Sequence, residues 1–231
     1  MNKSELHKIN HPVRRIAFLC FGLMIMAFGV AFSIKGALGT SPISSVPYVT
    51  AKISGLSVGT TTIIMNFVFV LIQIAILRSQ YDWLQLLQFP AAIVFGTMID
   101  VAGYVLQAIA FSNYVQQWLL CIAGIFLIAL GISLEVTANL VTTAGEGIVL
   151  AICRVVPVKF SNMKIIFDVT LVCSSIVLSF VFLGHLDGVR EGTVAAAIFV
   201  GLITKQTNRL MNHIESILGN TKSSPRSSKI A

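Results

Sequence analysis

Long apolar runs alternate with short polar segments along the whole chain. Apolar runs cover residues 16–34, 60–77, 89–108, 118–136 and 165–183, and a shorter one covers 193–203. A helix needs about 20 apolar residues to cross the hydrocarbon core of a bilayer. The first five runs are close to that length, and the sixth reaches it only with part of residues 204–211. The pattern therefore predicts six membrane-spanning helices.

Two further segments, residues 41–54 and 142–156, are too short and too polar to cross a bilayer. The first contains Pro42, Pro47 and several serines, and the second is rich in small and polar residues. We predict that each forms a half-helix or a re-entrant hairpin. Such backbone survives at membrane depth only where protein buries it or where it lines a wet cavity.

The two halves of the chain repeat one pattern without a gap. Gly22, Ala27, Gly29, Leu38 and Thr40 fall on Gly124, Ala129, Gly131, Leu140 and Thr142. The same register places Ser44 over Glu146 and Asn66 over Asp168. An internal repeat of this kind predicts two copies of one structural unit, each holding three spans and one short segment.

Composition and charge support a membrane location. The chain is 56% hydrophobic and only 11% charged, whereas a soluble domain has about 25% charged residues. With a cytoplasmic N-terminus, all but three of the 16 lysines and arginines lie on the cytoplasmic side; the exceptions are Lys35, Lys52 and Arg190. Cytoplasmic loops carry such an excess of basic residues. The net charge of +7 is therefore a sign of membrane topology, and no nucleic-acid partner is expected.

These observations predict an all-α membrane protein with six transmembrane helices in two inverted three-helix repeats. Residues 1–15 form a cytoplasmic head, 16–111 the first repeat, 117–211 the second, and 212–231 a disordered cytoplasmic tail. The first apolar run is a retained helix rather than a cleaved signal, because no small-residue cleavage pattern follows it. Inverted repeats with broken segments at their interface are common in secondary transporters.

Two motifs at matching places in the halves resemble the YczE/YyaS/YitT family of bacterial membrane proteins. Residues 37–42 (ALGTSP) resemble the family motif Gly-Leu-Gly-x-x-Pro-Trp-Asp, and residues 141–147 (VTTAGEG) resemble Gly-x-Gly-Pro-Arg-Asp-Gly. Residues 93–100 resemble the third helix of the family, and residues 192–201 resemble its last. The resemblance implies a multi-pass protein of the bacterial inner membrane and no particular substrate.

The chain departs from the family motifs at several positions. Ile43 and Ser44 stand where Trp-Asp is common, so the first acidic position is missing. Ala144 and Gly145 stand where Pro and Arg are common, and Glu146 keeps the second acidic position.

Asp100 lies near the middle of the third apolar run. An ionisable group in the membrane costs about 3 kcal/mol or more, so it is a functional candidate by default. Asp100 could carry a proton or a cation, or act as the counter-ion of a cationic substrate. It could equally form a structural ion pair with Lys205, which occupies the equivalent place in the inverted half.

Two glutamates have similar alternatives. Glu146, opposite Ser44 in the repeat, could bind a cation at a half-helix end. Its spacing from Thr142 and Thr143 also fits a capping box, in which a glutamate caps the start of its own helix. Glu135, near the cytoplasmic end of the fourth run, could line the same path. We favour a side chain that snorkels to the surface or pairs with a basic loop residue.

Asp168 and Asn66 occupy matching positions and could both face the pseudo-symmetric centre. Asp168 also lies four residues after Lys164, and such a spacing on one helix favours an ion pair. The predicted substrate or ion path therefore consists of Asp100, Glu146, Asp168, Ser44, Asn66 and Glu135.

No enzyme motif, metal-ligand spacing or cofactor motif occurs in the sequence. The four cysteines lie singly in apolar runs and the histidines lie in loops and tails. We therefore expect no catalytic residue, no metal and no cofactor.

The sequence leaves three functional hypotheses. The first is a small secondary transporter of the bacterial cytoplasmic membrane for a cationic or zwitterionic solute, with both termini cytoplasmic and with proton coupling as one option. The second is a non-transporting accessory protein, and the third is the membrane-embedded binding subunit of a larger uptake system. The expected partners are membrane lipid, a small solute or ion, and a second copy in a homodimer.

Overall fold

The computed structural model describes residues 12–108 and 113–217, and within them every regular element is a helix. The eight α-helices are α1 (Pro12–Lys35), α2 (Pro42–Ser54), α3 (Val58–Leu77), α4 (Gln88–Val105), α5 (Tyr114–Ala138), α6 (Ala144–Val155), α7 (Phe160–Leu178) and α8 (Glu191–Ile217). A π-helical turn, Ser179–Leu183, extends α7. The order of one long, one short and two long helices therefore occurs twice.

Five of the described helical segments are long and apolar enough to cross a membrane. They are Arg15–Lys35, Val58–Gln80, Trp83–Ala108, Tyr114–Ala138 and Phe160–Leu183. The sixth predicted span is not among them. Its helix α8 has 27 residues, but the apolar sequence ends at Ile203 and polar residues follow directly. The chain is thus a multi-pass membrane protein, all-helical in the residues that the structure describes.

Helices α1 and α5 form the central contact through the glycines of the repeat. A Cβ atom on Gly29 would lie 2.7 Å from the backbone N of Ile128, and one on Gly22 would lie 2.9 Å from the carbonyl O of Gly131. Since the later glycine of α1 meets the earlier part of α5, the two helices run antiparallel. Small residues allow such close approach of helix backbones in lipid.

Contacts at one end of the bundle show the directions in which α4 and α8 run. Lys35 Nζ donates a hydrogen bond to the carbonyl O of Gln107 (3.2 Å), so α1 and α4 end together. Arg190 Nη1 donates to the carbonyl O of Ala37 (3.1 Å), so α8 begins where α1 ends. Helix α4 is therefore parallel to α1, and α8 is parallel to α5.

The two short helices lie inside the bundle and meet at their N-terminal ends. Helix α2 packs on α7 and α3, and α6 packs on α3 and α7. A Cβ atom on Gly145 of α6 would collide with the side chain of Ile43 of α2. These two residues are equivalent in the repeat. The prediction of short, buried half-helices thus agrees with the structure.

Local sequence explains the limits of α2. Proline is favoured at the first position of a helix, where its missing N–H is not needed, and Pro42 occupies that position. Gly55 follows the last residue with φ 73°, a left-handed conformation that glycine adopts without strain. The N-terminal residues Ser41, Pro42, Ser44 and Ser45 are buried, whereas Lys52 and Ser54 are exposed. The helix therefore rises from the interior to the surface.

The two units differ in how their last helices pack. Helix α3 packs along α4, whereas its counterpart α7 makes few contacts with α8. Only 17% of the α7 span is buried within the protein, against 28% to 44% for the other four spans. Helix α7 is therefore the most peripheral of these segments.

Candidate functional site

The candidate site is built around the first turn of α6. Gln73 of α3 and Gln88 of α4 are both buried beside it, at 0% and 2% exposure. Gln73 Nε2 donates to Gln88 Oε1 (3.1 Å) and to the carbonyl O of Ala144 (3.1 Å). Gly147 provides the room for this pair, because a Cβ atom there would lie 2.6 Å from Gln73 Oε1. The two glutamines hold α3, α4 and α6 together.

Each glutamine keeps one unused polar atom. Within residues 12–108 and 113–217, Gln73 Oε1 and Gln88 Nε2 are buried and have no hydrogen-bond partner. Buried polar groups are nearly always paired, so such atoms call for an explanation. One unused acceptor and one unused donor therefore lie at the start of α6.

Glu135 reaches the same helix start from α5. Asn139 ends α5 in a left-handed conformation with φ 45°, and the chain reverses there. As a result the backbone N–H of Thr143 donates a hydrogen bond to Glu135 Oε1. Glu135 is only 2% exposed, and its Oε2 has no partner in the described residues. The favoured interpretation of a snorkelling side chain is therefore wrong.

Glu146 is the third residue of α6, and Thr143 is the N-cap. In a capping box, the glutamate would accept from the N-cap N–H. The N–H of Thr143 already donates its hydrogen bond to Glu135, so the predicted capping box does not form. No side-chain hydrogen bond of Glu146 is found in the two described ranges, and its carboxylate lies within electrostatic range of Glu135, Lys164 and Asp168.

Lys164 and Asp168 form the ion pair that their spacing indicates. Lys164 Nζ lies 2.6 Å from Asp168 Oδ1, with side-chain exposures of 28% and 21%. The lysine is thus already engaged with one carboxylate of the group. Its charge also acts on Glu146.

The equivalent position on α2 carries neutral residues. Ser41 Oγ donates to Ser44 Oγ (3.0 Å), and both serines are buried. Asn66, the counterpart of Asp168, is also buried on α3. The site is therefore asymmetric, with hydroxyl groups at the start of α2 and carboxylates at the start of α6.

Asp100 lies apart from this group, and not at the middle of its span. It is close to the C-terminal end of α4, where α3 begins. Its Oδ1 accepts from the N–H of Gly59 (2.8 Å), and its Oδ2 accepts from Ser57 Oγ (2.6 Å). Lys205 is exposed, and the structure does not bring it together with Asp100. Asp100 therefore caps the N-terminus of α3, where a negative charge also suits the helix dipole.

We expect Asp100→Ala to lower the free energy of unfolding by about 1 kcal/mol, because it removes a capping carboxylate. Thermal unfolding of the purified protein in detergent measures this change. Thr97→Ala is the matched control on the same helix, because Thr97 Oγ1 bonds only to carbonyls of its own helix. Equal melting temperatures for the two variants would contradict a capping role.

Gln73 and Gln88 were not among the residues predicted from the sequence. The signal was present, since Gln73 interrupts an otherwise apolar run between Ile72 and Ile74. An amide buried in lipid needs hydrogen-bond partners, as a charged group does.

Comparison with known proteins confirms the resemblance to the YczE and YyaS proteins. A family of unknown function, DUF6198, matches residues 13–209. The uncharacterized membrane protein YczE of Bacillus subtilis is 28% identical over 208 residues, covering 87% of this chain and 90% of YczE. The uncharacterized protein YyaS of the same organism is 26% identical over 184 residues, covering 79% and 86%. No solved structure matches the chain significantly.

Proposed function

The chain belongs to the DUF6198 family, and from the geometry of its site we propose that it is a small secondary transporter for a cationic or zwitterionic solute. One observation carries the proposal: two carboxylates, the buried Glu135 and the half-buried Glu146, lie at the start of a half-helix, and neither has a salt-bridge partner in the described residues. A buried charge of this kind is costly unless a partner compensates it. A cationic group of the solute would be that partner.

The proposed architecture is six spans in two inverted three-helix repeats, with α8 as the sixth span. The antiparallel contact of α1 with α5 supports it, because these helices are equivalent in the sequence repeat. The parallel pairs α1–α4 and α5–α8 support it too, as do the short helices that meet at equivalent residues. Transporters with inverted repeats bind their substrates where broken helices meet near the bilayer midplane.

The neutral half of the site favours a zwitterionic solute over a simple cation. The N-terminal end of a helix attracts negative charge through its free N–H groups and its dipole. The start of α2 carries hydroxyl groups and no carboxylate, so it suits an anionic group of the solute. The start of α6 carries Glu135 and Glu146, so it suits an ammonium group.

Loop contacts at the two ends of the bundle would act as gates. At one end the N–H of Thr40 donates to the carbonyl O of Gly188 (3.0 Å), which joins the loop before α2 to the loop before α8. At the other end Arg15 Nη1 donates to the carbonyl O of Asn139 (3.5 Å). In alternating access one repeat rocks against the other, and each contact would open in turn.

We propose that the protein lies in the bacterial cytoplasmic membrane with both termini in the cytoplasm.

Uptake into proteoliposomes tests the proposal. Labelled amino acids and small amines are first screened for compounds that raise the melting temperature of the purified protein, and the best compound is then used for uptake. We expect Glu146→Gln to lower uptake by about tenfold or more, because hydrogen bonds to charged groups contribute about 1.5–3 kcal/mol. Melting temperature should change little, since Glu146 has no side-chain hydrogen bond in the described residues.

Asp100→Asn is the control, because it neutralises a carboxylate outside the site and keeps an acceptor for the cap. It should retain uptake. If no compound binds and a second membrane protein co-purifies with the chain, the transporter proposal is wrong. The accessory protein or the binding subunit of a larger uptake system would then take its place.

A further inference from the structure

The carboxylates at the start of α6 outnumber the cations that could neutralise them. The charge of Glu146 acts on Glu135, and that of Asp168 acts on Glu146, whereas Lys164, the cation beside them, is paired with Asp168. We propose that Glu135 Oε2 binds one exchangeable proton, which the negative charge of Glu146 retains. The role of this proton as the coupling ion rests on the proposed function, but the proton site itself does not.

The two oxygens of Glu135 have different surroundings. Oε1 accepts a hydrogen bond from the backbone N–H of Thr143. Oε2 is buried and has no partner in the part of the chain that the structure describes. An ionised carboxylate taken out of water without a partner costs several kcal/mol, whereas a neutral carboxylic acid costs far less. Protonation at Oε2 removes this cost and leaves the bond of Oε1 to Thr143 unchanged.

The groups that face Glu135 from neighbouring helices do not neutralise it. From α6, Glu146 adds a second negative charge, and Lys164 of α7 is already paired with Asp168. From α1, Arg15 directs its guanidinium to the carbonyl O of Asn139. On α8, Lys205 and Arg209 are exposed. Two carboxylates that share a buried site cannot both ionise at low cost, so one of them keeps a proton.

An independent observation marks the start of α6 as a binding site. Gln73 Oε1 and Gln88 Nε2 are buried there without partners among the described residues, and Gln73 also bonds to Ala144 at the first position of the helix. These atoms belong to α3 and α4, so their lack of hydrogen-bond partners is an observation separate from the acidic residues. An unused acceptor and an unused donor at the start of α6 fit a polar group of a bound solute.

The proton and a cationic solute would then compete for the same negative charge. When an ammonium group binds at Glu146, it neutralises the charge that retains the proton on Glu135. The O–H bond at Oε2 breaks, the electron pair stays on the carboxylate, and the proton passes to water on the open side. One cation enters the site for each proton that leaves. The proposed transporter is therefore a proton/solute exchanger.

Infrared difference spectroscopy of the full chain, reconstituted in lipid and titrated with pH, tests the proton site. A protonated buried carboxyl group has a C=O stretching band separate from that of carboxylates. We expect this band in the wild type near neutral pH and its loss in Glu135→Gln. Glu191→Gln is the matched control, because Glu191 is an exposed carboxylate paired with Arg190, and it should keep the band.

A second variant keeps the test valid if Glu135→Gln does not fold. Glu146→Gln removes the charge that retains the proton, so the band should titrate at a pH lower by about one unit or more. A band that persists in Glu135→Gln, no titrating band in the wild type, or an unchanged midpoint in Glu146→Gln would each overturn the proposal. The band is measured without solute, so an intact band with no uptake would reject the transporter alone.

Discussion

Gly29→Ala and Gly124→Ala each destabilise the protein, and they do so although alanine is the better helix former. The added methyl group on Gly29 would lie 2.7 Å from the backbone N of Ile128, and that on Gly124 would lie 2.7 Å from the carbonyl O of Gly29. Backbone atoms cannot move aside as a flexible side chain can, so α1 and α5 must separate. Overpacking of this kind costs about 1–3 kcal/mol.

Gly201→Ala and Gly103→Ala are matched controls. Both glycines lie in helices, and a Cβ atom at either position meets nothing within 4 Å. The same substitution there should raise stability by up to about 1 kcal/mol through helix propensity alone. Melting temperature and the monodisperse fraction after gel filtration measure the difference. Equal melting temperatures for Gly29→Ala and Gly201→Ala would show that the α1–α5 contact does not hold the bundle.

Glu135→Ala should lower both stability and transport, whereas Glu135→Gln should lower transport alone. Alanine removes the acceptor of the Thr143 N–H and leaves a buried donor unpaired, which costs about 1–3 kcal/mol. Glutamine keeps an acceptor oxygen of similar shape, so its melting temperature should stay close to that of the wild type. Both variants lack the carboxylate, so both should lose proton-dependent uptake of the solute.

Unfolding and proteoliposome uptake, measured on the same preparations, check this pair of variants. If alanine and glutamine lower the melting temperature equally, the hydrogen bond to Thr143 does not stabilise α6. If Glu135→Gln retains uptake at wild-type pH dependence, Glu135 has no part in transport.

The sequence was sufficient for five of the six predicted spans and for the two short helices. Apolar run lengths located five spans, and the repeat aligned Gly22 and Gly29 with Gly124 and Gly131, the glycines at which α1 and α5 meet. In membrane helices, small residues at such intervals allow the backbones of two helices to approach closely. The sixth span was harder to assign, because α8 continues as a polar helix beyond Ile203 and helix length alone does not indicate membrane crossing.

The hydrogen-bond partners of the acidic residues could not be read from the sequence. Glu135 and Glu146 are eleven positions apart, and they come together only because Asn139 turns the chain back over the end of α5. Asp100 is separated from them for a similar reason: α3 begins beside the end of α4, so its free N–H groups meet the carboxylate. Which polar group satisfies which helix terminus depends on tertiary packing.

The antiparallel contact between α1 and α5 also has a consequence for synthesis. Gly124 follows Gly29 by 95 residues in the chain, and translation proceeds at about 5–20 residues per second, so roughly 5 to 20 s separate their emergence from the ribosome. During this interval the glycine face of α1 contacts only lipid or the insertion machinery. The central helix pair therefore assembles late, after the first unit has entered the bilayer, and an insertion factor that shields small-residue faces would act in this period.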